Sequence, residues 1–106
     1  FAETSDRRIL QARFEREELY FISFLKGVSL LRLGDEIGAT ASFRKVSQEY
    51  PTLAINHYYL GEALRKRGEY APAKLEYKAY ISLSRSGAAF AEVLEKIDEC
   101  EARARR

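Results

Sequence analysis

The sequence predicts an all-α fold of two helical hairpins, a helix before them and a capping helix after them. The first supporting observation is an internal repeat of 34 residues. The second is the placement of Gly34, Pro51 and Gly68, which are residues that end helices. The third is the composition, because 46% apolar and 32% charged residues with only two prolines indicate an ordered helical chain. A chain of 106 residues is long enough for one core and is read as one domain.

The repeat appears when the sequence is shifted along itself by 34 residues. The identical positions are Gly27 with Gly61, Leu30 with Leu64, Gly34 with Gly68, and Ala39 with Ala73. The matching aromatic positions are Phe24 with Tyr58 and Phe43 with Tyr77. Glycine and alanine let two helices approach closely, and aromatic side chains fill the space beside them. A period of this length built from helix, turn and helix is typical of a helical repeat architecture.

Two alternatives describe the first third of the chain. A helix-start signal stands at Thr4, Ser5 and Asp6, whose side-chain oxygens can accept the free N–H groups of a first turn. Either a separate helix over residues 5–17 precedes a repeat helix over 19–33, or one helix of nearly thirty residues covers both. The absence of glycine and proline between residues 14 and 25 favours the continuous helix.

The later helices follow from their start and stop residues. Gly34 reaches the left-handed conformation that ends the first repeat helix. Pro51 forces Tyr50 out of the α region and ends the partner helix, and Pro72 suits the opening turn of another helix. The predicted helices are 36–49, from near 52 to 68, from the turn containing Pro72 to about 83, and 88–104, with a turn at 84–87.

The predicted organisation is an N-terminal helix at 1–19, which can be continuous with the next, a first repeat at 20–53, a second at 54–87 and a capping helix at 88–106. A stack of repeats needs a more polar helix to close its last apolar face. The predicted inward positions are Ala88, Ala89, Phe90, Val93, Leu94 and Ile97. The predicted outward positions are Glu92, Glu95, Lys96, Glu99 and Glu101.

The two copies together resemble the tetratricopeptide repeat (TPR) family over residues 20–85. The second copy carries Leu60, Gly61, Leu64, Gly68, Glu69, Tyr70, Ala73 and Tyr77, and the first carries Gly27, Leu30, Ala39, Phe43 and Pro51. The first copy departs from the family pattern at Lys26, where leucine is usual, and at Ser23, where a large aromatic residue is common. The resemblance implies a non-catalytic scaffold or adaptor module.

The resemblance also implies a binding site, because the first helix of each TPR pair lines a concave groove that binds peptides or helices of partners. The implied positions of the first copy are Phe21, Phe24, Val28, Leu31 and Arg32. Those of the second copy are Ile55, Tyr58, Glu62, Arg65 and Lys66. An apolar half beside a charged half would suit an amphipathic protein segment with an acidic or mixed flank.

The apolar residues of the first repeat helix allow another interpretation, because they lie on nearly all its sides and such a helix is normally covered on every side. The stripe from Phe21 to Leu31 is then core, covered by Ile9, Leu10 and Phe14 of the same chain or by a second copy. Covering by a second copy would make the domain a homodimerisation module. RNA binding is a third alternative.

Catalytic and metal-binding chemistry is not indicated. His57, the sole histidine, stands where the family carries an aromatic residue, and we expect a structural role for it. Cys100 has no second thiol in the sequence and is expected to be inert. No cluster of histidine, cysteine or carboxylate residues has the spacing of metal ligands, and no glycine-rich loop follows a strand. We therefore expect neither an enzyme nor a bound metal or cofactor.

Charge and hydropathy point to a protein partner. The net charge of +2 is too small to indicate nucleic acid, and Arg103, Arg105 and Arg106 alone are weak evidence for it. The longest apolar run, 19–25, is too short for a membrane span. We expect neither nucleic-acid nor membrane binding. The segment from Phe43 to Pro51 resembles the repeat ending of TPR proteins of the bacterial envelope, which favours that compartment over the cytoplasm for a soluble protein.

Overall fold

Five helices make up most of residues 2–84 and 89–105, which the computed structural model describes apart from the side chains of residues 2–6, 13, 14 and 17. Their bounds are α1 Ala2–Arg32, α2 Glu36–Glu49, α3 Ala54–Lys66, α4 Tyr70–Ser84 and α5 Phe90–Ala104. Each helix packs on the next one along the chain, and α1 also touches α3. The described residues form helices and turns in a repeat-like arrangement, which confirms the predicted all-α fold of helical hairpins.

Helix α1 is a single continuous helix, as the second of the two alternatives for the first third of the chain predicted. The helix start predicted at Thr4–Asp6 is wrong, because α1 begins at Ala2 and adding residues to an existing helix is easier than starting one. Its 31 residues span about 46 Å, whereas the 14 residues of α2 span about 21 Å. The N-terminal half of α1 therefore projects. The molecule is accordingly elongated, with a longest dimension of 62 Å.

The helix ends follow the local sequence signals. Gly34 and Gly68 have positive φ angles of 88° and 80°, as the predicted glycine endings require. Asp35 caps α2, since its side chain accepts a hydrogen bond of 2.9 Å from the backbone N–H of Gly38. Ser84 is the last residue of α4. The rest of the predicted turn at 84–87, and Ala88, lie outside the described residues.

The core is built around two aromatic rings that lie over the two repeat glycines. Phe43 covers Gly27 and Tyr77 covers Gly61, and both aromatic residues are fully buried. A methyl group at Gly27 would lie 2.6 Å from Cε1 of Phe43, and one at Gly61 would lie 3.0 Å from Cε1 of Tyr77. The predicted close approach at these positions is confirmed.

Helix α5 packs on α4 at the C-terminal end of the stack, but its orientation differs in part from the prediction. Val93, Ile97 and Cys100 form its buried stripe. Phe90 and Leu94, predicted to face inward, are 41% and 42% exposed. The outward assignment of Lys96 is also wrong, because its side chain is only 17% exposed. The flexible stem of lysine lets the helix bury three small or medium side chains while the ammonium group reaches across to α3.

Candidate protein-binding surfaces

The predicted groove positions of the first copy divide between the core and the surface. Phe24 and Leu31 are each 8% exposed, and Phe24 packs against aromatic rings of α2 and α3. For these two residues the interpretation as core is correct. Val28 is half-buried against the core, whereas Phe21 and Arg32 are exposed. The five positions therefore do not form one accessible face.

The chain's own N-terminal segment does not cover the stripe from Phe21 to Leu31, although the sequence suggested that it could. Because α1 is a single helix, residues before Tyr20 continue along its axis and cannot fold back on it. Ile9 and Leu10 are 63% and 62% exposed. The side chain of Phe14 lies outside the described ones. The stripe is instead covered, at Phe24 and Leu31, by the packing of α1 with α2 and α3.

The predicted positions of the second copy also divide. Ile55 and Lys66 are exposed, with Ile55 at 41%. Tyr58, Glu62 and Arg65 are half-buried, and all three take part in contacts with α4 or α5. The structure therefore brings together three of these five positions, but it uses them inside the molecule.

These three residues belong to a polar network that joins α3, α4 and α5. Glu62 is its centre, because its carboxylate accepts hydrogen bonds from Tyr77 at 2.6 Å and from Arg65 at 3.0 Å. Lys96 of α5 also donates to Glu62, and donates to the Tyr58 hydroxyl at 3.0 Å. Arg65 donates in addition to the Tyr77 hydroxyl at 3.2 Å. The Lys96 ammonium group thus occupies the charged half of the predicted groove.

The electrostatics of the network favour its charged form. Burial by itself would raise the pKa of Glu62, but hydrogen bonds from Lys96 and Tyr77 outweigh it and lower the pKa below its ordinary value. Burial likewise opposes the charge on Lys96, but its bonds to Glu62 and Tyr58 raise its pKa. Burial and the bond to Glu62 raise the pKa of the Tyr77 hydroxyl, which stays neutral and donates. The charged groups of the network therefore pair with one another inside the molecule.

His57 and Cys100 occupy structural positions. The His57 ring is buried, with Nε2 2.6 Å from the carbonyl oxygen of Pro51 and Nδ1 2.6 Å from Oε2 of Glu76. It therefore ties the turn before α3 to α4. The Cys100 thiol is buried, and burial raises its pKa, which suppresses the reactive thiolate. Both placements agree with the structural roles expected from the sequence.

The projecting half of α1 carries an exposed apolar face, which we call the tip surface and define by Ile9, Leu10, Tyr20 and Phe21. Ile9 precedes Tyr20 by eleven residues, and Leu10 precedes Phe21 by the same number. Eleven residues make about three helical turns, so all four side chains lie on one side of the helix. Helix α2 covers this side only as far as Tyr20, whose ring meets that of Tyr50 with centroids 5.0 Å apart. The tip surface thus continues the α2-packing face beyond the end of α2.

An open pocket of about 450 Å³ lies where α2 stops covering α1. It is lined by Tyr20, Phe21, Tyr50, Thr52 and Leu53. Four of these five side chains are aromatic or aliphatic, so the pocket suits an apolar group from another helix. It forms the inner end of the tip surface.

A second exposed apolar face, which we call the outer surface, comprises Leu19, Ile22 and Leu25. These side chains are 62%, 54% and 47% exposed. Ile22 precedes the buried Phe24 by two residues, or about 200° around the helix, so the outer surface lies opposite the core. A pocket of about 220 Å³ beside Leu19 and Ile22 has Arg16 and Lys45 in its wall. The pocket therefore places two cations beside an apolar ridge.

Sequence reasoning missed the roles of Lys96 and of the outer surface. It assigned Lys96 to solvent because a lysine on an amphipathic helix usually faces water. The signal that could have corrected this is Glu62, which stands among apolar residues of the second repeat helix, where a half-buried carboxylate favours a cation on a neighbouring helix. For the outer surface, the signal was already present in the apolar residues all round the first repeat helix.

The described residues hold neither a cluster of metal-ligand side chains nor a membrane-spanning helix. Among residues 2–84 and 89–105, no group of three or more histidine, cysteine, aspartate or glutamate residues is placed to hold a metal ion. Within the same ranges, no helix combines the length and apolar character needed to cross a membrane. In comparisons with known proteins, neither a protein-family model nor a curated protein sequence matches this chain.

Proposed function

We propose that this chain is a non-catalytic protein-binding module that holds an amphipathic helix of a partner protein against the outer surface of α1. The observation that carries the proposal is the exposure of Leu19, Ile22 and Leu25, which are 62%, 54% and 47% exposed on one side of a single helix. Three large aliphatic side chains at helical spacing form a ridge that a second helix can pack against.

The charge around the outer surface supports a partner with a mixed flank beside its apolar face. Arg16 and Lys45 line the adjoining pocket and Lys26 is exposed one turn after Ile22, whereas the exposed Glu15 and Glu18 lie one turn before Leu19 and Ile22. Charges of both signs beside an apolar ridge would favour complementary charges of both signs on the flank of the incoming helix. The partner's chemistry is therefore the amphipathic segment that the TPR resemblance also implies.

The outer surface is a better candidate than the concave groove of the TPR pattern. A ligand in the groove would need Phe24 and Leu31, which are each only 8% exposed. It would also have to displace Lys96 from Glu62 and Tyr58. Binding at the outer surface requires neither rearrangement, so the module can act as a scaffold without opening its core.

Site-specific photo-crosslinking tests this proposal. A photoreactive amino acid is placed at Ile22 of the full-length protein in its own cells, and at the exposed Ser82 of α4 as the control position. We expect a defined protein adduct from position 22 and none from position 82. Leu19→Glu should reduce the adduct by about tenfold, because a charge replaces a central apolar contact. Leu75→Glu is the matched control, since Leu75 is 65% exposed on α4.

Two results would contradict the proposal. The first is the same set of adducts from positions 22 and 82, which would mean random collisions. The second is an adduct from position 22 that survives Leu19→Glu but disappears with Leu75→Glu. Circular dichroism of the purified variants checks that both remain folded, which is expected because both side chains are exposed.

We also propose that the protein is located in the bacterial envelope. The resemblance of the segment from Phe43 to Pro51 to the repeat ending of TPR proteins of the bacterial envelope favours that location over the cytoplasm. Fractionation of cells that express the full-length protein tests it. Recovery with cytoplasmic enzymes after osmotic shock would contradict an envelope location, whereas release into the shock fluid would support it.

A further inference from the structure

The outer half of the tip surface lies on a length of α1 that no described helix of the chain covers. Most helical stability in proteins comes from packing of an apolar face, so a partner on this face would stabilise the projecting turns. From Arg7 to Leu19, every side chain that is described is exposed. Ile9 and Leu10 are 63% and 62% exposed. A cover for these two side chains can come only from outside the described helices of this chain.

The charge pattern of the same segment indicates what covers it. Residues 7–13 contain three arginines and no acidic residue, which gives a net charge of +3. Residues 14–18 contain three glutamates and one arginine, which gives a net charge of −2. An antiparallel second copy would set each basic half beside the acidic half of the other chain. A parallel copy would set like charges together, which is unfavourable.

We propose that this chain forms a homodimer with two-fold symmetry, in which the tip surfaces of two α1 helices pack antiparallel. Ile9 and Leu10 of each chain then lie near the two-fold axis, and Tyr20 and Phe21 lie toward the N-terminal turns of the other chain. The pocket of about 450 Å³ at the inner end of each tip surface receives the N-terminal turns of the partner helix. The arrangement is isologous, because the same surface is used by both copies. Its apolar contacts do not use Leu19 or Ile22 of the outer surface, although Glu18 lies one turn before Ile22.

One pair of side chains makes the orientation testable. Arg7 and Glu18 are eleven residues apart, so they lie on the same flank of α1, about three turns from each other. In an antiparallel pair of helices each flank meets the equivalent flank of the partner. Arg7 of one chain therefore faces Glu18 of the other, and the symmetry creates this contact twice. Arg8 lies on the side of α1 away from Ile9 and Leu10 and makes no such contact.

The test is the molar mass in solution, measured by light scattering over a wide concentration range with the purified chain. We expect a dimer for the wild type. Arg7→Glu should raise the dimer dissociation constant at least about tenfold, because it sets glutamate against Glu18 at both ends. Glu18→Arg should do the same, and the double variant Arg7→Glu with Glu18→Arg should restore the wild-type dissociation constant. Arg8→Glu has the same change in charge and should leave the dimer intact.

Several outcomes would overturn the proposal. A wild-type chain that is monomeric at all concentrations would do so, as would a dimer that Arg8→Glu weakens as much as Arg7→Glu. Failure of the double variant to restore dimerisation would exclude the antiparallel contact. Because Arg7, Arg8 and Glu18 are exposed, loss of folding is not expected in these variants, and Ile9→Ser supplies a second, uncharged test of the same surface.

Different variants test the dimer and the proposed protein-binding function, so one proposal can be contradicted without the other. Leu19→Glu should reduce the partner adduct at Ile22 by about tenfold and leave the mass of the dimer unchanged. Ile9→Ser should lower the mass to that of a monomer and leave the Ile22 adduct unchanged. A dimer that is lost with Leu19→Glu but kept with Ile9→Ser would mean that two copies meet through the outer surface, and would overturn this inference.

Discussion

At the scale of single residues, the two repeat glycines are fixed by the aromatic rings above them. Gly27 and Gly61 lie inside helices, where glycine costs about 1 kcal/mol relative to alanine. The rings of Phe43 and Tyr77 are fully buried, so neighbouring atoms restrict their movement. The helix backbone must therefore come close to a ring at each repeat, and the propensity loss is offset by the packing of that ring.

Gly27→Ala should therefore destabilise the protein although alanine is the better helix former. Its new methyl group would lie 2.6 Å from Phe43, and overpacking of this kind costs about 1–3 kcal/mol. Gly61→Ala should cost less, because its nearest contact is 3.0 Å. Thermal unfolding of both variants checks the order. A melting temperature that rises in Gly27→Ala would contradict the packing described for Phe43.

At the scale of helices, α5 is attached to α3 through charge as well as through its buried stripe. Val93, Ile97 and Cys100 supply the apolar contact with the stack. Lys96 adds a cation beside Glu62, whose side chain is 13% exposed. Removing one member of such a pair leaves the other poorly solvated, so the loss exceeds that of a surface ion pair.

The contribution of Glu62 to this attachment should depend on pH. The pKa of Glu62 is lower in the folded protein than its ordinary value of 4.5, so its contribution is complete above that value and is lost as the pH falls through the folded-state pKa. Glu62→Gln should reduce stability by about 1–3 kcal/mol at pH 7, and this difference should shrink in acid. Urea unfolding of wild type and variant at neutral and acidic pH measures both effects.

Glu92→Gln is the matched control for this experiment. Glu92 also pairs with Lys96, at 3.5 Å, but its side chain is 60% exposed. An exposed pair contributes at most about 1 kcal/mol, so we expect little change at either pH. Equal effects of Glu62→Gln and Glu92→Gln would show that burial of the Glu62 carboxylate is unimportant for stability.

At the scale of the whole molecule, stability is distributed unequally between the stack and the projecting helix. Helices α2, α3 and α4 each pack on two neighbours in the chain, whereas the described side chains of residues 7–19 of α1 are exposed. Amide hydrogen exchange should therefore be slowest in α3 and fastest in the projecting half of α1. If the tip surfaces pair, protection at residues 7–19 should rise with protein concentration while that of α3 stays constant. Equal exchange rates throughout α1 would contradict this distribution.

Much of the fold could be predicted because glycine, proline and small residues act locally. Gly34 and Gly68 require particular backbone angles, and the repeat spacing of Gly27 and Gly61 identifies the close helix contacts. The candidate surfaces could not be predicted equally well, because the periodicity of α1 does not say which apolar side meets α2. Phe24 and Ile22 look alike in sequence, yet one is 8% and the other 54% exposed. Only packing separates them.

The position of Lys96 also bears on how long an array of this kind can become. A third hairpin placed where α5 lies would have to bring its own cation to Glu62, or leave the carboxylate with Arg65 and the Tyr77 hydroxyl as its remaining donors. A hairpin like the first copy would supply no charge at that point, since its equivalent site is the apolar Val28. Lengthening the stack at this end with such a hairpin would therefore remove one of the two cations that pair with Glu62.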